Sequence, residues 1–171
     1  SLTAMYEGLA VAEAKTYRGT DIDLHASSMI DSGAFPSVDA ITDEERARGM
    51  SDMIRYPAAG LLVTWFRETL GVEAFKRAYA SPTGGAAAFA KILRTSPEAV
   101  ESAFMAWVDA RLAARKNDVA VQRLQIQAKE KLDAGDYRGV VVAMKEALRF
   151  RPGDTQTLLN LAAAEMRIEK F

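Results

Sequence analysis

The stretch from residue 128 to residue 171, AKEKLDAGDYRGVVVAMKEALRFRPGDTQTLLNLAAAEMRIEKF, decides the fold of this chain. Good helix formers fill it, and two short breaks interrupt it, Gly135-Asp136 and Pro152-Gly153. Links this short force neighbouring helices to lie antiparallel. The stretch therefore predicts stacked helical hairpins. Their helices are expected at Asp118 to Ala134, Tyr137 to Phe150 and Asp154 to Lys170.

A repeat runs through the same segment. Leu124 and Leu158, Ala128 and Ala162, and Tyr137 and Phe171 are each 34 residues apart. This is the period of the tetratricopeptide repeat, which the segment resembles. The matching positions are Leu124, Ala128, Gly135, Asp136, Tyr137, Ala147, Leu148, Pro152, Leu158 and Ala162. Two positions depart from the family pattern: Val140 replaces its usual alanine, and Glu169 replaces its usual turn glycine.

The matching residues have local physical roles. Small Ala128 and Ala147 let two helices cross closely. Gly135 permits a tight turn over which Tyr137 packs, and Pro152 stops the second helix.

The resemblance implies a protein or peptide partner, because tetratricopeptide arrays bind such partners in a concave groove. The segment contains one full repeat and the first helix of a second. Solenoid repeats need neighbours to cover their faces, so either the array is truncated or the last helix is a cap. We expect truncation. The alternative is a plain helical appendage that stabilises the first domain.

The first two thirds of the chain are also predicted to be helical, with nothing that alternates like a strand. Gly8 interrupts the first helix at a cost in stability, which suggests that another element approaches closely there. The region from Gly19 to Asp52 is predicted to be a folded but loop-rich connection with short helical turns. The first predicted helix runs from Leu2 to Tyr17. A second runs from Tyr56 to Leu70, with Pro57 in its first turn and Gly71 at its stop, and Val72 to Tyr79 forms a third. After a turn at Ser81 to Gly85 come a helix from Ala86 to Arg94 and one that begins at Pro97, whose apolar face consists of Val100, Phe104, Trp107, Val108 and Leu112.

A second resemblance covers about Met5 to Leu112. MYEGLAVAEAK, RYPAAGLLVTWFRETLGVEAFKRAY and SPEAVESAFMAWVDARL, in this order, resemble the C-terminal half of a gluzincin zinc peptidase. In that clan an HExxH helix supplies two zinc ligands and the general base. The resemblance implies that Glu7 is the third zinc ligand and that Tyr56 stabilises the oxyanion. The alternatives are a solvated helix carboxylate for Glu7 and a core tyrosine for Tyr56.

The zinc site implied by this resemblance is incomplete. A catalytic zinc needs three protein ligands and an open position, and the sequence has no HExxH. His25 is the only histidine, and we expect it to be a surface or partly buried loop residue. The chain itself therefore needs no cofactor, and zinc belongs to a parent protein if the resemblance holds.

Composition excludes several classes of protein. The chain has 22 basic and 23 acidic residues, so its charge balance predicts no nucleic-acid partner. No apolar run is long enough for a membrane span. With no cysteine there is no disulfide or thiolate site. Neither a serine-hydrolase elbow nor a phosphate-binding loop occurs.

We therefore predict an all-α protein with a helical domain at residues 1–116 and a tetratricopeptide segment at residues 117–171. The expected function is protein interaction, in a fragment of a longer metallopeptidase-like protein that is inert alone. A zinc peptidase completed by residues outside the chain and a purely structural scaffold are the alternatives. A missing zinc helix would leave apolar surface around Leu2 and Leu9, so self-association or helix swapping is expected. Compartment stays open, although gluzincins with such repeats are often bacterial and exported.

Overall fold

The computed structural model describes residues 2–80 and 84–169 and shows an all-α protein, as predicted. The chain divides into two compact units, unit 1 (Ser1–Leu112) and unit 2 (Ala113–Phe171). The predicted turn at Ser81 to Gly85 falls largely outside the described residues, as does Phe171.

Unit 1 consists mainly of helices of 5 to 18 residues. Its elements are α1 (Leu2–Ala14), β1 (Thr16–Tyr17), β2 (Thr20–Asp21), α2 (Ile22–Asp31), α3 (Val38–Thr42), α4 (Glu44–Gly49), α5 (Asp52–Trp65), a π-helical turn (Phe66–Leu70), α6 (Gly71–Tyr79), α7 (Ala86–Leu93) and α8 (Pro97–Ala114). Unit 2 contains α9 (Lys116–Asp133), α10 (Tyr137–Phe150) and α11 (Thr155–Ile168).

Two glycines allow α1 and α5 to cross closely. A Cβ added to Gly8 would lie 2.5 Å from the carbonyl oxygen of Ala59, and one added to Gly60 would lie 2.6 Å from Cγ1 of Val11. The close approach expected at Gly8 is therefore confirmed, and α5 is the element that makes it. Gly8 therefore has a packing reason within this chain.

The core of unit 1 is built on α5 and α8. Leu61, Leu62, Trp65 and Phe66 are at most 2% exposed. On α8 the predicted apolar face is confirmed, with Val100, Phe104 and Val108 buried and Trp107 and Leu112 packed against the core. Aromatic rings join these elements: the Trp65 and Phe104 ring centroids lie 5.4 Å apart, and those of Phe66 and Phe89 lie 4.7 Å apart.

The region after α1 differs from its prediction. The first helix ends at Ala14 instead of Tyr17, and an antiparallel pair of two-residue strands follows, with Thr16 opposite Asp21. Lys15, Arg18 and Gly19 have positive φ values of 56°, 50° and 79°, which turn the chain back on itself. The prediction of no strand is therefore wrong here, because strands of two residues are too short to show alternation.

Residues 22–52 are more helical than the loop-rich connection that the sequence predicts. Side chains cap each short helix: Ser37 accepts from the Ala40 amide before α3, and Asp43 accepts from the Arg46 amide before α4. Ser51 accepts from the Met53 amide, so α5 begins before Tyr56. Pro57 therefore lies inside the helix and not in its first turn.

Unit 2 is a stack of antiparallel helices in which α10 packs against both α9 and α11. Gly135 has a φ of +76° in the turn between α9 and α10, a conformation that glycine adopts without strain. Asp136 and Asp154 cap α10 and α11 by accepting from the amides of Gly139 and Thr157. The buried centre of the stack consists of Ala128, Val140, Ala143, Met144 and Ala164.

Candidate functional site

Two regions carry the candidate functional residues, one in each unit. In unit 1, Glu7 of α1 lies beside Arg55 and Tyr56 of α5, and we call these three residues the Glu7 cluster. The Tyr56 hydroxyl donates to Glu7 Oε1 at 3.2 Å, and Arg55 Nη2 donates to the same hydroxyl at 2.8 Å. Arg55 Nε lies 3.8 Å from Glu7 Oε2. The fold thus brings together Glu7 and Tyr56, which are 49 positions apart.

Aromatic side chains surround the Glu7 cluster on the side of the β-hairpin. The ring of Tyr17 stacks on that of Tyr56 with centroids 5.1 Å apart, and Arg55 Cζ lies 4.5 Å from the Tyr56 ring centroid. His25 Nε2 lies 3.3 Å from the Tyr17 carbonyl oxygen. His25 is half-buried as expected, but it lies on α2 and not in a loop.

The charges within the Glu7 cluster are balanced. The side chains of Arg55 and Glu7 are 18% and 26% exposed, so water screens their attraction only in part. Burial opposes the charge of Arg55, but Glu7, Tyr56 and Asp52 outweigh it, and the pKa of Arg55 is raised above its ordinary value. Glu7 thus faces a permanent cation, Arg55, and a hydroxyl donor, Tyr56.

The described residues do not fit a zinc site. Across residues 2–80 and 84–169 no group of three histidine, cysteine, aspartate or glutamate side chains is placed to hold a metal ion. Glu7 alone cannot satisfy a metal that takes three or four protein ligands. Its carboxylate is also already paired with Arg55. In the part of the chain that the structure describes, Glu7 is an ion-pair partner and not one of a set of ligands.

A small cavity of about 150 Å³ opens beside the Glu7 cluster. Glu7 and Arg55 line it together with residues of α3 and α4, including Thr42, Glu44 and Arg48. Arg48 and Glu44 form an ion pair at its edge. A space of this size suits a few waters rather than a substrate.

Unit 2 contains a larger opening, which we call the α9–α11 groove. It has a volume of about 600 Å³ and lies between α9 and α11 with α10 as its floor. Tyr137, Val140 and Met144 form the floor. The walls are Gln125, Ala128, Lys129 and Leu132 from α9, and Gln156, Asn160, Ala163, Ala164 and Arg167 from α11.

The groove has an apolar centre and a polar rim. Val140 and Met144 are each 3% exposed at its base, and small alanines on both walls keep it open. Gln125 Nε2 donates to Thr157 Oγ1 at 3.0 Å, which ties α9 to the first turn of α11. Apolar lining with a few placed polar groups is typical of surfaces that bind a ligand or a partner segment.

The residues named by the tetratricopeptide resemblance take different environments. Ala128 and Ala147 are each 1% exposed and lie where helices meet. Leu124, Leu148 and Tyr137 are half-buried, and Gly135 and Pro152 lie exposed in the two turns. Leu158, at 45% exposed, and Ala162 lie on an open face of α11.

The sequence alone does not predict that this face of α11 is exposed. Leu158, Leu159 and Met166 are 45%, 61% and 59% exposed, and exposed Ala162 lies between them. Leu158 and Ala162 occur 34 positions after Leu124 and Ala128, and Ala128 packs within the buried centre of the helix stack. We call Leu158, Leu159, Ala162 and Met166 the open face of α11.

Several other residues of both regions carry no signal in the sequence. Arg55 precedes Tyr56, but an arginine at a helix start is too common to suggest an ion pair with Glu7. Met144, Asn160 and Arg167 line the groove together only because α9 and α11 both pack against α10. A helical wheel of a single helix does not reveal such a juxtaposition.

Comparison of the chain with protein families, with curated proteins and with solved structures finds no match. Among the described residues, no helix combines the length and the apolar character needed to cross a bilayer.

Proposed function

We propose that unit 2 is a protein-interaction module of the tetratricopeptide kind, and that the α9–α11 groove receives a segment of another protein. The observation that carries this proposal is the groove itself, about 600 Å³ of mainly apolar space. The 34-residue spacing of Leu124 and Leu158 and of Ala128 and Ala162 supports it independently. Unit 1 would then support the module without chemistry of its own.

The size and lining of the groove favour a peptide segment over a small metabolite. Its walls run from Gln125 to Leu132 and from Gln156 to Arg167. At 1.5 Å per helical residue these walls are roughly 10 and 16 Å long. An occupant of that length has several residues, and its apolar side chains would cover Val140 and Met144.

A matched pair of variants tests this proposal. Ala163 and Ala162 are both exposed on α11, but only Ala163 lines the groove. A phage-displayed library of random 12-residue peptides would be selected on the full chain, and binding of the selected peptides measured by fluorescence anisotropy. Ala163→Trp should abolish binding by filling the groove, and Ala162→Trp should leave it unchanged.

Equal binding by both variants would place the peptides elsewhere on the surface and contradict the proposal. Failure to select any peptide from the library would favour a purely structural role for unit 2.

The second candidate function is a zinc-dependent peptidase of the gluzincin kind, and one observation favours it. The two residues that the resemblance assigns to the active site, Glu7 and Tyr56, are in contact at 3.2 Å. The described residues do not supply a zinc site, so two further ligands would have to come from outside them. The chain by itself would then be catalytically inert.

Zinc content and peptidase activity test this second candidate. Both would be measured on the present chain and on a version extended upstream in its gene. Zinc and activity that appear only in the extended version, and are lost in its Glu7→Ala variant, would support the peptidase. An extended version with neither would reject it.

We also propose that the chain self-associates through its exposed apolar surface. The open face of α11 presents three large apolar side chains to water, and such contiguous patches usually mark an interaction surface. Exchange of a helix between copies is one way to cover that face.

A further inference from the structure

The α9–α11 groove carries charge of one sign. Among the described residues that line it, Lys129 and Arg167 are basic and none is acidic. The other polar groups of the lining are the amides of Gln125, Gln156 and Asn160 and the hydroxyl of Tyr137. The groove therefore favours an anionic occupant over a cationic one.

The two cations differ in how far they are already neutralised. Lys129 Nζ lies 2.8 Å from Asp133 Oδ2 on the same helix. Gln156 and Asn160 are also engaged, since Gln156 Nε2 donates to Asn160 Oδ1 at 3.0 Å. Arg167 is exposed in the last turn of α11 and forms no ion pair with the part of the chain that the structure describes. Its guanidinium is thus the cation available to an occupant.

Resting on the proposed function, we infer that the occupant of the groove is an acidic, amphipathic segment of another protein. Its apolar side chain covers Val140 and Met144, and a carboxylate on the same segment pairs with Arg167. Guanidinium and carboxylate match in a two-bond geometry, which fixes the direction of the segment as well as its charge. The alanines at 128, 163 and 164 give the backbone of the segment room to approach.

Three fluorescein-labelled synthetic peptides of 12 residues test this inference on the full chain. The first combines leucines with glutamates, the second has lysines in place of the glutamates, and the third has serines in place of the leucines. We expect the leucine–glutamate peptide to bind roughly tenfold more tightly than the leucine–lysine peptide at low salt. The serine–glutamate peptide should not bind, because it has no apolar side chain for the groove.

Charge reversal identifies the cation responsible. Arg167→Glu should weaken the leucine–glutamate peptide roughly five- to tenfold and strengthen the leucine–lysine peptide. The control is Arg149→Glu, which changes charge equally at an arginine 76% exposed on α10 and outside the groove. The preference for glutamate should shrink between ~0.05 and ~0.5 M salt because exposed charges are screened.

The outcomes separate this inference from the proposed function. If both leucine peptides bind equally and only Ala163→Trp abolishes binding, the groove is a docking site but the acidic partner is wrong. If Arg167→Glu and Arg149→Glu act alike, Arg167 is not the contact and the inference fails. If no leucine peptide binds, both the inference and the proposed function are overturned.

Discussion

Gly8 is the residue at which a single methyl group would disturb unit 1. A Cβ there would meet the Ala59 carbonyl oxygen at 2.5 Å and Val63 Cγ2 at 2.9 Å. Because backbone cannot move aside as a flexible side chain does, we expect Gly8→Ala to lower the free energy of unfolding by about 1–3 kcal/mol. Urea denaturation followed by circular dichroism measures the change.

Gly49 provides the control for that substitution. It also lies in a helix, α4, but a Cβ added there would meet nothing within 4 Å. Gly49→Ala should therefore be neutral or stabilising by up to about 1 kcal/mol. If Gly8→Ala is no more destabilising than Gly49→Ala, the α1–α5 crossing tolerates a methyl group at Gly8 and the expectation is wrong.

The ion pair between Asp23 and Arg111 is the second residue-scale feature with a measurable consequence. Arg111 Nε lies 2.6 Å from Oδ1 of Asp23, whose side chain is fully buried. Arg111→Met removes this cation from beside a buried carboxylate, so we expect a loss of about 3–5 kcal/mol in urea denaturation. Arg48→Met breaks the pair with Glu44 at the surface and should cost less than about 1 kcal/mol.

A loss no greater for Arg111→Met than for Arg48→Met would show that the buried ion pair contributes no more to stability than a surface pair.

The candidate site shows how far single residues can be predicted from the sequence. Glu7 and Tyr56 are named by sequence motifs, and the structure places them in contact. Arg55 is not named, because its role depends on the crossing of α1 and α5 and on no local pattern. The same reason hides Arg167, which lines the groove only because α9 and α11 both pack against α10.

At the scale of elements, the length of a helix decides whether the sequence predicts it. Helices α5, α8, α9, α10 and α11 each span several turns, so their apolar spacing or terminal breakers are recognisable. Helices α3 and α4 have five and six residues, too few for a period, and are defined by the caps Ser37 and Asp43. Cap residues are equally common in loops, so these helices are predicted only as a loop-rich connection.

The cap of α11 gives a pH-dependent prediction. Hydrogen bonds from the side chain and the amide of Thr157 lower the pKa of Asp154 in the folded protein. A lowered pKa means that the folded state prefers the carboxylate. Its stabilisation is fully present above the unfolded pKa of about 3.9 and is lost as pH falls through the lowered folded value. Asp154→Ala should cost about 1 kcal/mol at neutral pH and progressively less in acid.

Urea denaturation of the unmodified chain and of Asp154→Ala at a series of pH values measures this effect. Asp109 on α8 is exposed and caps no helix, so Asp109→Ala should change stability by less than about 0.5 kcal/mol throughout. A cost of Asp154→Ala that stays constant into strong acid would show that the cap acts without its charge.

At the scale of the whole molecule, burial is uneven between the two ends of the chain. Unit 1 encloses a large core from α1 to α8, whereas the buried cluster of unit 2 has five residues. Helix α11 is apolar on most of its circumference, with Leu161 and Ala164 against α10 and Leu159 and Met166 facing water. A helix that is apolar on most sides is normally buried on most sides, so the open face of α11 lacks a covering surface in an isolated chain.

Self-association is therefore expected of the chain in solution. Sedimentation velocity at increasing concentration should show a rising average mass as copies cover the open face of α11. Met166→Glu places a charge in that face and should shift the protein toward monomer, because a buried unpaired carboxylate opposes association. Ala110→Glu, on an exposed position of α8, should leave the mass unchanged. A strictly monomeric chain at high concentration contradicts the expectation, and an assembly insensitive to Met166→Glu would have to use another surface.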